Sequence, residues 1–248
     1  SGFHLRPFEC LWLSKTLFAI FVGETLKNFY GQKATDAVLQ TWKNYTQGNH
    51  DVQRALQQAF CKTPTAIGLG LVQEDWWTRQ MQFTPPKLIR EFAETIQLRY
   101  VQPFCGKDRA KAEKLNQIGK EQCKALDQFF KTFPFRDVPT EDVANLLYNL
   151  RFVTDANIMR RQRELTKDTL RKALEQTKQF EPIFLDALFF STQGSGMLYD
   201  GVVFYFKEEI KSNERVKSVL AHFDRQQLLA NTERTKQEFG KLQQQISG

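Results

Sequence analysis

The sequence predicts an all-α fold, a compact array of about eight to ten helices that includes a long C-terminal helix. Three observations predict it. Apolar residues recur at intervals of three and four along most of the chain, and no segment alternates reliably as a half-buried strand would. The 248 residues are 41% hydrophobic and include 22 Phe, which is enough apolar surface for a large core. This composition excludes a wholly disordered or collagen-like chain.

The first three helices are expected over residues 7–30, 33–45 and 51–71. Pro7 suits a first helical turn and Gly31 suits a stop, while Asp51 can cap the third helix. Pro64 lies inside the third pattern, and we expect it to kink that helix or divide it in two.

Two further helices are expected around residues 84–106 and 107–130. Thr84 is a candidate N-cap for the first of them, whose apolar side is predicted to carry Leu88, Ile89, Phe92, Ile96 and Tyr100. The second is the most polar helix, with a narrow apolar stripe that ends at Phe129 and Phe130.

The C-terminal half predicts helices near residues 140–150, 155–179 and 182–190, with a flexible loop at 191–196. The apolar run at residues 202–206 has the composition of a strand. The charged helical pattern that follows it favours the alternative, in which the run forms the first buried turns of a helix.

Residues 1–206 are predicted to be a helical globular body, and residues 207–248 an amphipathic connector or pairing helix. Beyond Lys207 the apolar residues are sparse among charged residues and Gln, and such a narrow stripe suits pairing with another helix. The residues expected to contact a protein partner or a second copy are Val216, Val219, Leu220, Phe223 and Leu229. The chain is expected to continue beyond Gly248 in a larger protein.

Motifs for metal and cofactor binding do not occur in the sequence, so neither is predicted. The four Cys (Cys10, Cys61, Cys105 and Cys123) are scattered, and only three His are present. The scattered cysteines favour free thiols in a reduced compartment, which predicts a cytoplasmic protein. The longest apolar run, residues 11–22, is too short to span a bilayer.

One weak catalytic pattern joins Arg215 and His222 on a predicted helix. Their spacing of seven residues places both side chains on one face. An Arg and a His near one helix end resemble the site of HEPN-type ribonucleases, in which the His moves a proton and the Arg stabilises a phosphorane. The preferred interpretation is an exposed Arg on a connector helix and a His packed beside Phe223.

The formal charge of +7 is spread along the chain. Its densest basic stretch, residues 160–178, is interleaved with acidic residues. A nucleic-acid binder usually concentrates its positive charge on one face. Nucleic-acid binding is therefore an alternative, and a solvated helix surface is favoured.

Four segments together carry a resemblance to a known group: residues 7–21, the Gly-Asn-His-Asp-Val-Gln-Arg-Ala-Leu run at 48–56, the Phe-Tyr-Phe-Lys-Glu-Glu-Ile run at 204–210, and residues 213–225. They resemble the helical N-terminal regions of bacterial, often cyanobacterial, multi-domain proteins, in which such a region precedes a NACHT-type or other STAND nucleoside-triphosphatase, or repeats. The resemblance implies a signalling or adaptor module and brings no active-site residue with it. We therefore expect a non-enzymatic interaction domain, with the ribonuclease and the nucleic-acid binder as alternatives.

Overall fold

The computed structural model describes residues 14–17, 20–21, 51–72, 86–133, 156–191 and 196–212. No strand occurs among these residues, which confirms the predicted all-α class. The helices are α1 (Asp51–Leu71), α2 (Lys87–Ile96), α3 (Gln102–Cys105), α4 (Arg109–Lys131), α5 (Ala156–Gln176), α6 (Pro182–Phe189) and α7 (Met197–Ser212), and a π-helical segment (Gln97–Val101) joins α2 to α3.

These seven α-helices are fewer than the predicted eight to ten, but the prediction also counted segments outside the described residues. Residues 14–17 and 20–21 are helical, in agreement with the helix expected over residues 7–30. The helices expected at 33–45 and 140–150, and the Thr84 cap, lie outside the described residues.

Helix α1 is the element against which α2, α4 and α7 all pack. Its Leu56, Phe60 and Ile67 are completely buried, and helical spacing places all three on one face. Pro64 is buried within it, yet the helix is continuous from Asp51 to Leu71. The expectation that Pro64 divides the helix is therefore wrong. A proline forfeits one helical hydrogen bond, and packing against three neighbouring helices outweighs that loss.

Glycines allow these helices to approach closely. A Cβ placed on Gly70 of α1 would lie 2.6 Å from Ile96 Cγ2 and 2.8 Å from the Ala93 carbonyl oxygen. A Cβ on Gly201 of α7 would lie 2.6 Å from the Thr63 Cγ2 atom of α1. Both distances are well below ordinary van der Waals contact. The close crossings of α1 with α2 and α7 therefore require glycine at positions 70 and 201.

The predicted aromatic core is present in the described residues. Phe60 of α1 packs at ring-centroid distances of 5.3 Å from Phe21 and 4.7 Å from Phe130. Phe130 in turn contacts Phe129 and Phe133 in edge or tilted geometry. Such arrangements add to the free energy of apolar burial because the ring edge of one residue meets the ring face of another.

The π segment between α2 and α3 has a local cause in Pro103. In an α-helix Pro103 would press on the carbonyl of Arg99 and leave it without an N–H donor. The structure instead bonds the Gln102 N–H to the Gln97 carbonyl five residues earlier, which widens this turn. Gly106 then ends α3 with a φ of 55°, a left-handed conformation that glycine adopts readily.

Side chains close the ends of α4. At its start, the Asp108 carboxylate accepts a hydrogen bond of 3.0 Å from the Lys111 N–H, which satisfies one of the free donors of the first turn. Near its end, Gln57 Nε2 of α1 donates to the Phe130 carbonyl at 2.8 Å. The carbonyls of the last helical turn otherwise have no partner within the helix. Gln57 thus ties the end of α4 to α1.

Gln122 of α4 holds the turn between α5 and α6. Its amide donates to the Gln179 carbonyl at 3.2 Å and accepts from the Glu181 N–H at 2.9 Å. Lys114 adds an ion pair of 2.8 Å to the Glu181 carboxylate. The Gln122 side chain therefore satisfies one backbone acceptor and one backbone donor of this turn. This arrangement also places the predicted break at Glu181–Pro182 against α4.

Residues 202–206 are helical and belong to α7, which resolves the alternative between strand and helix. Helix α7 continues without interruption across the predicted boundary at Phe206–Lys207, and Ile210 beyond that boundary is buried in the core. The predicted body and connector, 1–206 and 207–248, stay a prediction because residues 213–248 lie outside the described residues.

Candidate functional site

The residues that the sequence singled out for function lie outside the described residues. This holds for the interaction set Val216, Val219, Leu220, Phe223 and Leu229, and for the alternative catalytic pair Arg215 and His222. The structure therefore tests neither prediction. The candidate site within the described residues is a different feature.

A cleft of about 460 Å³ opens between α7 on one side and α2 with the π segment on the other. This volume falls in the usual range of ligand-binding pockets. We call it the α2–α7 cleft. Its lining residues are Glu91, Phe92, Thr95, Arg99, Tyr100, Asp200, Val203, Phe204 and Lys207.

The two walls of the cleft run antiparallel. Phe92 of α2 stacks on Phe204 of α7 with ring centroids 4.9 Å apart and an interplanar angle of 20°. Further along, the Tyr100 hydroxyl donates a hydrogen bond to the Asp200 carboxylate. The chain thus advances along one wall while it retreats along the other. Phe92, Val203 and Phe204 supply the apolar surface of the cleft.

The Tyr100–Asp200 hydrogen bond is held in a partly desolvated environment. Burial, followed by the hydrogen bond to Asp200, raises the pKa of the Tyr100 phenol well above its usual value. Burial also raises the pKa of Asp200, while the Tyr100 hydrogen bond and the positive charges of Arg163, Lys167 and Arg99 oppose that rise. Tyr100 is consequently a neutral donor, and Asp200 is an acceptor surrounded by cations.

This pair is suited to holding the cleft in shape. A phenol with a raised pKa is a poor base and a poor nucleophile at neutral pH. The described lining residues of the cleft include no His, Cys or Ser.

The charged side chains of the cleft differ in how they are paired. Asp200 accepts from Tyr100, and Glu91 forms an ion pair of 3.5 Å with Lys87. Arg99 and Lys207 form no hydrogen bond or ion pair through their side chains within the described part of the chain. The acids of the cleft are therefore engaged, and its two bases are available to a ligand.

Two exposed leucines adjoin this cleft. Among the described residues, Leu88 and Leu98 are the only large apolar side chains with high exposure, at 41% and 62%. They share one helix face with the cleft residues Glu91 and Thr95, because positions 88, 91, 95 and 98 follow one another at intervals of three or four. Leu88 was expected on the buried side of its helix, and the structure corrects this: the buried side begins at Phe92 and Ala93.

Cations elsewhere on the described surface are frequently paired with acids. Arg171 contacts both Glu175 at 2.8 Å and Asp186 at 2.6 Å. Lys131 pairs with Asp127 at 2.5 Å. This pairing agrees with the interpretation of the basic residues as a solvated surface.

Two kinds of feature are absent from the described residues. No group of three or more His, Cys, Asp or Glu side chains there could hold a metal ion. No helix in the same part of the chain combines the length and apolar character that crossing a membrane requires. Cys61, Cys105 and Cys123 are free thiols, and burial raises the pKa of each.

Comparison of the chain with protein-family models, curated proteins and solved structures finds no match. The α2–α7 cleft is therefore interpreted from its own geometry and chemistry.

Sequence reasoning missed the α2–α7 cleft because its walls are far apart in the chain. Tyr100 and Asp200 are separated by 100 residues. One signal was available: Leu98 falls outside the apolar stripe predicted for its helix. An apolar residue off the buried stripe marks a possible contact surface, although a single one is common on ordinary surfaces.

Proposed function

We propose that the chain is a helical protein-interaction domain and that the α2–α7 cleft is a docking site for a segment of a partner protein. The observation that carries the proposal is the combination of an apolar cleft surface with the exposed Leu88 and Leu98 beside it. Apolar groups at the centre and charged groups around them are the usual arrangement of a peptide-binding groove.

The test uses a phage library of random dodecapeptides selected against the full chain. Peptides that bind the cleft are expected to lose at least about tenfold in affinity toward Thr95→Trp, which fills the cleft, and toward Leu98→Ser, which removes apolar contact area. Gln117→Trp on the exposed surface of α4 is the matched control for added bulk. Fluorescence anisotropy measures each affinity, and circular dichroism checks that the variants remain folded.

Two results would refute the docking site. One is a library from which no peptide is enriched. The other is a set of enriched peptides that bind Thr95→Trp and Leu98→Ser as tightly as they bind the parent chain.

We further propose that residues 213–248 provide a second contact, through Val216, Val219, Leu220, Phe223 and Leu229. Support comes from their apolar pattern in the sequence. Leu220→Asp is expected to abolish association with a second copy or a partner while the thermal unfolding of the body is unchanged. Unaltered association in light scattering would remove this proposal. The resemblance to regions that precede STAND nucleoside-triphosphatases supports a signalling or adaptor role in a larger protein.

A further inference from the structure

The two available cations lie toward opposite ends of the α2–α7 cleft. Arg99 adjoins Tyr100, whose hydroxyl meets Asp200 at one end. Lys207 is seven residues beyond Asp200 on α7, which is about 10 Å along a helix axis. The apolar surface of Val203 and Phe204 lies between these positions.

The acids of the cleft oppose an incoming anion only weakly. The Asp200 carboxylate is already bound by Tyr100, and Arg163 and Lys167 of α5 act on it electrostatically in addition to Arg99. Glu91 forms an exposed ion pair of 3.5 Å with Lys87, which offsets part of its charge. Arg163 and Lys167 therefore offset part of the negative charge of Asp200.

From this arrangement we propose that the α2–α7 cleft recognises an acidic segment of a partner protein, with two carboxylates about 10 Å apart that contact Arg99 and Lys207 and an apolar side chain between them that packs on Phe204. The inference rests on the proposed function, because it specifies the segment that the docking site accepts.

Charge complementarity favours this occupant over the chain's own C-terminal segment and over a second copy. Residues 213–248 contain six basic and four acidic residues, so they carry net positive charge. A second copy carries the same formal +7. Opposite charge steers association and penalises partners of like charge, so an acidic segment from another protein fits best.

The same random dodecapeptide library supplies the test. Enriched peptides are expected to contain two acidic residues about three positions apart in an extended segment, with an apolar residue between them. Replacing Arg99 and Lys207 together (Arg99→Gln with Lys207→Gln) is expected to lower the affinity for these peptides by about tenfold for each cation. Raising the salt concentration should weaken them as well, since exposed charges are screened.

The matched control removes the same charge elsewhere, through Arg54→Gln with Lys124→Gln. Both are exposed and lie outside the cleft lining. This variant is expected to bind the acidic peptides within about twofold of the parent chain, and an equal loss in both double variants would overturn the proposal. Such a result would mean that only overall charge matters.

The outcomes separate this inference from the proposed function. Enriched peptides that depend on Thr95 and Leu98 but lack acidic residues would leave the docking site standing and overturn the acidic specificity. Acidic peptides that bind the Arg99 and Lys207 double variant as tightly as the parent chain would likewise leave the docking site standing and overturn the acidic specificity. A synthetic peptide of residues 213–248 is tested as a competitor of the enriched peptides. If it displaces them from the cleft, the cleft binds the chain's own tail and the proposal is overturned.

Discussion

Replacement of Gly70 by alanine should destabilise the fold by forcing α1 away from α2. The new Cβ would meet Ile96 Cγ2 at 2.6 Å, Ile96 Cβ at 2.7 Å and the Ala93 carbonyl oxygen at 2.8 Å. Optimal carbon–carbon separation is about 3.5–4.0 Å. Because one obstacle is backbone, a change of rotamer alone cannot relieve the overlap, and the two helices must separate by close to an ångström.

Gly68 provides a matched control two residues earlier in α1. A Cβ there would lie 3.4 Å from Cys123 Cβ and 3.6 Å from Cys123 Sγ, which is ordinary contact. Alanine is favoured over glycine in a helix interior by about 1 kcal/mol, so Gly68→Ala should be neutral or stabilising. Overpacking costs about 1–3 kcal/mol. With a backbone clash at the upper end of that range, Gly70→Ala should destabilise by about 2 kcal/mol net.

The assay is thermal and urea unfolding of both variants, followed by helical circular dichroism. A loss of about 2 kcal/mol corresponds to a Tm decrease of roughly 4–8 °C in a domain of this size. Gly68→Ala should match or exceed the parent chain. The argument fails if Gly70→Ala is as stable as Gly68→Ala, because the close approach of α1 and α2 would then be immaterial.

Three further variants test single features. Gln122→Ala should lower the free energy of unfolding in urea by about 1–3 kcal/mol, because the Gln179 carbonyl and the Glu181 N–H lose their partner. Unchanged stability would show that the fold does not need these two hydrogen bonds. Tyr205→Phe should preserve or raise the Tm by removing a buried hydroxyl that has no partner among the described residues, and a clear decrease would reveal a missed hydrogen bond. Burial raises the pKa of Asp200 in the folded state, so the contribution of this carboxyl to stability is fully present below its ordinary pKa of 3.8 and is lost as pH rises through the folded-state pKa. The unfolding midpoint of the parent chain should therefore fall, relative to that of Asp200→Asn, as pH rises through the acidic range. Parallel pH profiles of the two chains would contradict this assignment.

Local sequence signals predicted much of the helical architecture. The apolar stripe of α4, the Pro182 start of α6 and the break before it agree with the structure because they depend on neighbours within a few residues. The alternative in which Pro64 divides its helix was wrong because the local cost of the proline is outweighed by packing with three helices, which the local pattern cannot represent. Tertiary packing regularly overrides propensity in this way.

The α2–α7 cleft was beyond local reasoning for a related reason. The significance of Tyr100 depends on Asp200, which no periodicity connects to it. Leu88 was assigned to the apolar stripe because of its spacing, but it lies in the first turn of α2, beyond the buried contacts that begin at Phe92. The polar and exposed positions of a site depend on which helices meet, and the sequence pattern alone does not specify that.

The position of α1 also affects how the protein is made. Lys62 of α1 pairs with Glu209 of α7, and 147 residues separate them in the chain. At a synthesis rate of about 5–20 residues per second, a ribosome needs roughly 7–30 s to produce the second after the first. During that interval α1 cannot bury the side that α7 covers. A nascent chain with this topology should therefore depend on chaperones that shield the early apolar surface, and slow codons placed between the two helices should increase its aggregation.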